Sequence, residues 1–281
     1  MSGDAASGGS LSQPGAADRV LAAAVAQIER EGMAVGLDQI RMEQVIKTAG
    51  VSRASAYRRW PTREAFLRDV LVTTVRHTSL IPETERDVAQ ISALVADRWD
   101  ELATDRGRRG LVVEALRLAT DLDVRRLVAS PRWRTFLSLS ATLPGLPEGE
   151  VRDAVAQALR QTEDEFVRRR SEVYAGLAEL IGYRLTGAGS FATLASATGA
   201  LMTGIVLRAT VDPGWLDRRA RESLFDAAAA SWSEPERHLV GMVLAHLEPD
   251  PEIQWDSAAL AARLAAFQDR VAAMYATANG G

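Results

Sequence analysis

Cysteine is absent from the 281 residues, and lysine occurs once, at Lys47. Without cysteine the chain cannot form a disulfide, a thiolate nucleophile or a cysteine–metal site, which agrees with a reducing cytoplasm as its location. The three histidines are too far apart for a metal-binding motif. Neither the Gly-Lys-Ser/Thr of a phosphate-binding loop nor a Gly-x-Ser-x-Gly elbow occurs. We therefore expect no metal, no cofactor and no catalytic residues, and a binding protein in place of an enzyme.

Long apolar runs are missing as well. No stretch approaches about 20 uninterrupted apolar residues, so no membrane span and no membrane partner are predicted. Residues 1–15 are rich in glycine, serine and alanine, and this composition predicts a disordered tail without a signal sequence. From residue 16 onward apolar residues recur every three or four positions. That period predicts an all-α fold.

One short stretch, residues 45–60, has the pattern of two helices joined by a tight turn. Val45, Ile46 and Ala49 share one face of the first helix, and Gly50 stands where a residue with positive φ would end it. Ser52 is placed to cap the second helix with its hydroxyl. The second helix is polar and basic, so we expect it to be exposed; such a pair is a helix-turn-helix, whose second helix fits the major groove of DNA.

The local charge agrees with DNA binding. Residues 41–69 hold seven bases and three acids, which gives +4, while the whole chain carries −4, so the remainder carries −8. A basic segment on an acidic protein is typical of a DNA-binding domain fused to another domain. From charge alone, a solvated basic face on an ordinary helical hairpin is an equal alternative.

Residues 37–71 resemble the DNA-binding domain of the tetracycline-repressor (TetR) family of bacterial transcriptional regulators. The similar string is Ala-Gly-Val-Ser at 49–52, Tyr57, Trp60 and Arg-Glu-Ala-Phe-Leu at 63–67; Ile46, Ala54 and Ala56 depart from the family pattern. The resemblance implies a three-helix helix-turn-helix domain in residues 16–80. It also implies that a long helix joins this domain to a larger all-helical ligand-binding and dimerisation domain in residues 81–281.

The resemblance further implies a homodimeric regulator, most simply a repressor, that a small-molecule effector releases from a palindromic operator in double-stranded DNA. Arg53 and Ala54 enter the groove first and are assigned to base edges, with Arg53 best matched to guanine. The resemblance implies phosphate contacts for Ser55, Tyr57, Arg59 and Arg63. The complete set of expected DNA-binding residues is Arg41, Gln44, Ser52, Arg53, Ala54, Ser55, Tyr57, Arg58, Arg59 and Arg63. Trp60 is interpreted as a core residue.

The region after residue 80 is expected to bind the effector, although plain core packing is the alternative for every candidate. The scarcity of polar residues on the candidate helices favours an apolar or amphipathic molecule. The helix predicted at 191–209 is apolar almost all round, so one face should meet its own domain and the other a partner subunit. The last helix repeats apolar residues from Leu260 to Met274 in a heptad pattern, which fits dimerisation or packing on its own domain. The candidate effector-binding residues are Trp99, Trp133, Phe136, Tyr183 and Met202.

Two other local patterns give expectations that the structure can check. Residues 187–192 match Gly-x-Gly-x-x-Ala, but we expect helices on both sides and hence a helix end followed by a cap at Ser190, not a dinucleotide site. Apolar spacing from Leu224 to Trp232 predicts a short helix. Two other function classes stay open: a DNA-binding regulator without a small-molecule effector, and a helical domain whose hairpin is only structural.

Overall fold

A computed structural model describes residues 15–31, 40–78, 85–253 and 256–278. It is mostly helical, with a few short strands. The chain divides into two compact units, Met1–Ser79 with Thr135–Arg160, and Leu80–Arg134 with Gln161–Gly281. The predicted tail falls outside the described residues, except for Gly15.

The first unit begins with four helices: α1 (Ala16–Glu31), α2 (Met42–Thr48), α3 (Arg53–Arg59) and α4 (Arg63–His77). Their apolar faces meet in one core, in which Val20, Ile46 and Phe66 are almost fully buried. The Trp60 indole is also fully buried and meets Phe66 edge to face at a centroid distance of 5.5 Å. Trp60 is therefore a core residue, as predicted.

Two further helices contribute to both units. They are α7 (Pro131–Thr142) and α8 (Glu150–Ile181), and a 3-10 turn at Leu143–Gly145 follows α7. The long α8 carries apolar residues at helical spacing between positions 151 and 177. Of these, Val155, Phe166 and Val173 are buried.

The second unit is built around α6 (Asp105–Ala129), which packs against α5 (Glu85–Asp97), α9 (Phe191–Val211) and α10 (Glu234–Leu244). A 3-10 turn at Trp99–Ala103 precedes α6, and another at Pro213–Asp217 follows α9. The last helix, α11 (Ser257–Ala278), packs on α5. Most apolar side chains of its predicted heptad, including those at 260, 267 and 271, lie outside what the structure describes.

A buried carboxylate ties several elements of the second unit together. Glu236 is fully buried, accepts hydrogen bonds from Arg117 and Arg219, and completes a capping box with Ser233 at the start of α10. A buried charge is tolerated only with such partners. The indole Nε1 of the buried Trp232 nearby finds no acceptor among the described residues.

The prediction of an all-helical second region is wrong in detail. Strands β1 (Tyr183–Leu185) and β4 (Leu247–Pro249) pair antiparallel, as do β2 (Arg219–Glu222) and β3 (Ala230–Ser233). The helix predicted from Leu224 to Trp232 is a loop and a strand. Phe225 and Asp226 take φ values of 57° and 63°, which a right-handed helix does not allow.

The Gly-x-Gly-x-x-Ala match also needs correction, because a strand and not a helix precedes it. That strand, β1, belongs to a two-stranded antiparallel sheet, whereas a dinucleotide site needs a parallel βαβ unit. Gly187 has φ +65°, and Ser190 caps α9 by accepting a hydrogen bond from the Thr193 N–H, so the predicted cap is confirmed.

Helix α9 is long and apolar enough to cross a membrane by length and composition alone, which the sequence reading did not predict. The core helix of a soluble protein can have the same length and apolar composition, so a single such helix is weak evidence for a membrane span. One face of α9 is buried against α6 and α10 through residues such as Leu194, Met202 and Val206.

Candidate nucleic-acid interface

The turn between α2 and α3 has the predicted geometry. Gly50 takes φ +63°, and its N–H donates to the Lys47 carbonyl at 3.2 Å. The Val51 N–H donates to the Ile46 carbonyl at 3.3 Å, so the carbonyls at the end of α2 are satisfied in the turn. Ser52 then caps α3 by accepting the Ser55 N–H at 3.2 Å. The turn thereby fixes where α3 begins.

Helix α3 separates a buried face from an exposed one. Ala56 is buried in the core of the first unit, and Trp60 ends the helix as a fully buried plug. Ser55 is half-buried. The remaining side chains of α3, namely Arg53, Ala54, Tyr57, Arg58 and Arg59, are exposed. A short helix held at both ends therefore presents a polar and basic surface to solvent.

The flanking candidates lie on neighbouring elements of the same unit. Arg41 is the residue before α2, Gln44 lies in the first turn of α2, and Arg63 begins α4; all three are exposed. Thr62 caps α4 by accepting the Ala65 N–H at 3.1 Å. The ten DNA-binding candidates thus fall on two short helices, the turn between them and the start of a third helix.

Several of these candidates are engaged by groups of their own unit. The Ser52 hydroxyl donates to the Ser55 hydroxyl at 2.9 Å besides capping the helix, so its polar atoms serve the turn. The Arg59 guanidinium donates through Nη2 to Asp69 Oδ2 at 2.8 Å. Arg53 approaches Glu43 only to 3.9 Å, and both side chains are mostly exposed, so that attraction is weak.

Asp69 was counted among the acids of the basic segment, but its position was not anticipated. It lies on the second turn of α4 and also accepts the Trp60 Nε1–H at 3.0 Å. Nothing in the spacing of Arg59, Trp60 and Asp69 indicates this contact, because it depends on how α3 and α4 cross.

The five candidate effector-binding residues do not lie in one cluster. Phe136 is in the first unit, and the other four are in the second. Trp99 packs beside Val95, Tyr183 belongs to the β1 strand in the main core, and Trp133 lies 5.9 Å from the Phe166 ring. Met202 lines a cavity of about 60 Å³, whose lining includes none of the other four.

One side of that cavity is polar, which was not predicted from the sequence. It is lined by Asp87, Asp123 and Tyr174 together with apolar side chains of α5, α6, α9 and α10. Asp123 is buried between Arg126 and Arg170, and both guanidinium groups donate to it. The Tyr174 hydroxyl donates to the Thr198 hydroxyl at 3.1 Å. The volume is well below the roughly 300–1,000 Å³ of a typical small-molecule site.

The described ranges contain no group of three or more histidine, aspartate or glutamate side chains arranged to hold a metal ion.

Comparisons with known proteins do not assign the chain to a family. No family model and no curated protein matches it. Among solved structures, the reduced form of NemR from E. coli is similar to 85% of this chain and 100% of its own, at 17% identity and a TM-score of 0.43. A similarity of that size carries no argument about function.

Proposed function

We propose that this protein is a sequence-specific DNA-binding transcriptional regulator of the TetR type, with no enzymatic activity, acting in the cytoplasm as a homodimeric repressor on a palindromic operator. The observation that carries the proposal is the exposed, basic face of α3, anchored by the buried Ala56 and Trp60. A rigid helix with exposed arginines on an acidic protein suits the major groove, where arginine reads guanine and phosphate attracts the remaining charge.

Within this proposal the exposed residues divide into two roles. Arg53 and Ala54, at the start of α3, face base edges. Phosphate contacts come from later positions on α3 and from its neighbours, with the exposed Tyr57 and Arg58 on α3 and Arg63, Gln44 and Arg41 at the flanks. Phosphate contacts fix the position of the helix, whereas base contacts select the sequence.

Support for a homodimer comes from the second unit. The face of α9 opposite its buried side carries six exposed, uncharged residues at three- and four-residue spacing, and the exposed Arg208 at the edge of this face pairs with Glu234 at 3.2 Å. The six uncharged residues are Thr193, Ser196, Ala200, Gly204, Leu207 and Val211, and we refer to them as the α9 stripe. An exposed helix face ordinarily carries charge, so an uncharged one suits a partner subunit. Two subunits would supply the two recognition helices that a palindrome requires.

The effector is a less direct proposal. The cavity at Met202 and Tyr174 is small, so an apolar or amphipathic molecule could enter only if the surrounding helices separated. That separation would be the conformational change that releases the DNA. The same small volume favours the alternative of a DNA-binding regulator without a small-molecule effector. A panel of compounds separates the two, because a ligand that binds the folded state raises the midpoint of thermal unfolding.

Selection of bound sequences from random duplex DNA tests the main proposal. A DNA-binding dimer should recover a palindrome whose half-sites lie about one helical turn, or a multiple of it, apart. Its affinity should fall steeply with salt, because phosphate contacts release counterions. Recovery of no sequence, together with salt-independent retention of DNA, would leave the hairpin with a structural role only.

Substitutions on α3 should distinguish residues that contact bases from residues that contact phosphate. Arg53→Ala should cost about 1–3 kcal/mol on the selected sequence and relax base choice at one position per half-site, whereas Tyr57→Phe should weaken all sequences alike. Repeating the selection with each variant checks this. Unchanged base preference in Arg53→Ala would contradict the assigned role.

A further inference from the structure

Asp69 on α4 holds the end of the recognition helix through one carboxylate oxygen, and its other oxygen contacts the neighbouring residue on α4. Oδ2 accepts hydrogen bonds from Arg59 Nη2 at 2.8 Å and from Trp60 Nε1 at 3.0 Å, and Oδ1 accepts from Arg68 Nε at 3.2 Å. The Arg59 guanidinium also lies over the Trp60 ring, 5.5 Å from its centroid. Arg59 is therefore held both by a carboxylate and by an aromatic face.

The hydrogen-bond partners of Asp69 differ in how deeply they are buried and so in how easily they can move. Trp60 is fully buried and cannot move without disrupting the core, whereas 53% of the Arg59 side chain is exposed. Arg68 is shared with a second acid, because its Nη1 lies 3.5 Å from Oε2 of Glu150. Asp69 is thus fixed in place by Trp60, and Arg59 is the partner that could leave it.

A carboxylate at this position opposes contact between Arg59 and DNA. An arginine paired with an acid is neutral as a pair, so the pair is not attracted to phosphate. The acid itself is repelled by the DNA backbone. Arg58, next to Arg59, is exposed, and the structure gives it no ion pair among the described residues. Two neighbouring arginines on one helix therefore differ in their availability to phosphate.

We propose that Asp69 is a positioning residue that keeps Arg59 from the DNA backbone, so that the protein makes one phosphate contact fewer than its basic residues would allow. The inference rests on the proposed function, since it concerns the strength of DNA binding at that same surface. It assigns Asp69 a role in limiting affinity, beyond its structural hydrogen bond to Trp60.

Asp69→Asn tests the proposal in the full-length protein. Asparagine keeps an oxygen that can accept the Trp60 Nε1–H but removes the negative charge. The variant should bind the selected duplex about two- to fivefold more tightly, the range expected for release of an exposed ion pair. The plot of log affinity against log salt should steepen by about 0.9, the slope of one added phosphate contact.

The gain must depend on Arg59. Arg59→Gln should weaken binding by the wild-type protein less than Arg58→Gln does, and it should reduce the gain from Asp69→Asn to the gain that Glu64→Gln gives. Glu64→Gln is the matched control, because it removes one acid from the same helix without a contact to Arg59, and its effect should be equal with and without Arg59. Thermal unfolding of each variant checks that the fold is retained.

A second comparison does not depend on any change at Asp69. In the otherwise unaltered protein, Arg58→Gln should weaken binding and flatten the salt slope more than Arg59→Gln does. Equal losses would overturn the proposal, as would weaker binding by Asp69→Asn, an unchanged salt slope, or a gain from Asp69→Asn that is just as large without Arg59. If the wild-type protein shows no salt-dependent binding at all, the proposed function fails first.

Discussion

At the scale of single residues, the turn before the recognition helix needs glycine at position 50 for its backbone conformation, and not because a side chain would clash there. Gly50 has φ +63°, and a Cβ built there would meet nothing within 4 Å. Any cost of a side chain at this position must therefore come from the left-handed conformation itself. The position of α3, and so of Arg53, depends on this one residue keeping its φ.

Gly50→Ala should destabilise the protein by about 1 kcal/mol, the cost of the left-handed region for an L-residue. Gly110 is the matched control, because it lies within α6 and a Cβ there also meets nothing within 4 Å. Gly110→Ala should stabilise by about 0.5–1 kcal/mol, since alanine is the better helix former. Urea unfolding gives the change in the free energy of unfolding for each variant. Changes of the same sign in both variants would contradict the role assigned to the φ of Gly50.

At the scale of elements, α8 carries a cluster of charges on its exposed side. Glu165 accepts hydrogen bonds from Arg168 at 2.8 Å and from Arg169 at 2.6 Å. The hydrogen bonds from Arg168 and then from Arg169 lower the pKa of Glu165 to about 2 from its ordinary 4.5. The lowered pKa means that the folded state favours the charged carboxylate.

This shift gives α8 a defined pH dependence. A carboxylate whose pKa falls on folding contributes stability above its unfolded pKa, and that contribution is lost as pH falls from about 5 to 2. Glu165→Gln should therefore cost up to about 1 kcal/mol at pH 7, an upper value for an exposed pair, and nothing near pH 2. Urea unfolding between these pH values checks this. Glu163 is an exposed acid on the same helix and has no ion pair among the described residues, so Glu163→Gln should show no such trend.

The elements also show how far local sequence patterns could predict this fold. Caps and apolar spacing placed α3 and α9 within a few residues, because those signals are local. The β2–β3 hairpin was missed since its apolar spacing is that of a helix, and only the positive φ of Phe225 and Asp226 prevents one. The contact of Asp69 with Arg59 was missed because it is set by helix packing.

At the scale of the whole molecule, the proposed function requires two copies of α3. The α9 stripe is suited to pairing with itself, because its small residues, Ser196, Ala200 and Gly204, lie toward one end and its larger ones, Leu207 and Val211, toward the other. Two antiparallel stripes related by a two-fold axis would place the larger residues of each copy over the smaller residues of the other. Such packing needs no charged partner.

Gly204→Arg should convert the dimer to a monomer. A Cβ at Gly204 meets nothing within 4 Å, so the single chain should accept the side chain, whereas a paired stripe would have to bury its charge at a cost of several kcal/mol. Affinity for the palindrome should fall by at least about tenfold, which corresponds to 1.4 kcal/mol. Thr210→Arg is the control, since Thr210 is exposed on the same helix but lies off the stripe. Sedimentation equilibrium and DNA binding report both effects, and a Gly204→Arg protein that stays dimeric would exclude the α9 stripe as the interface.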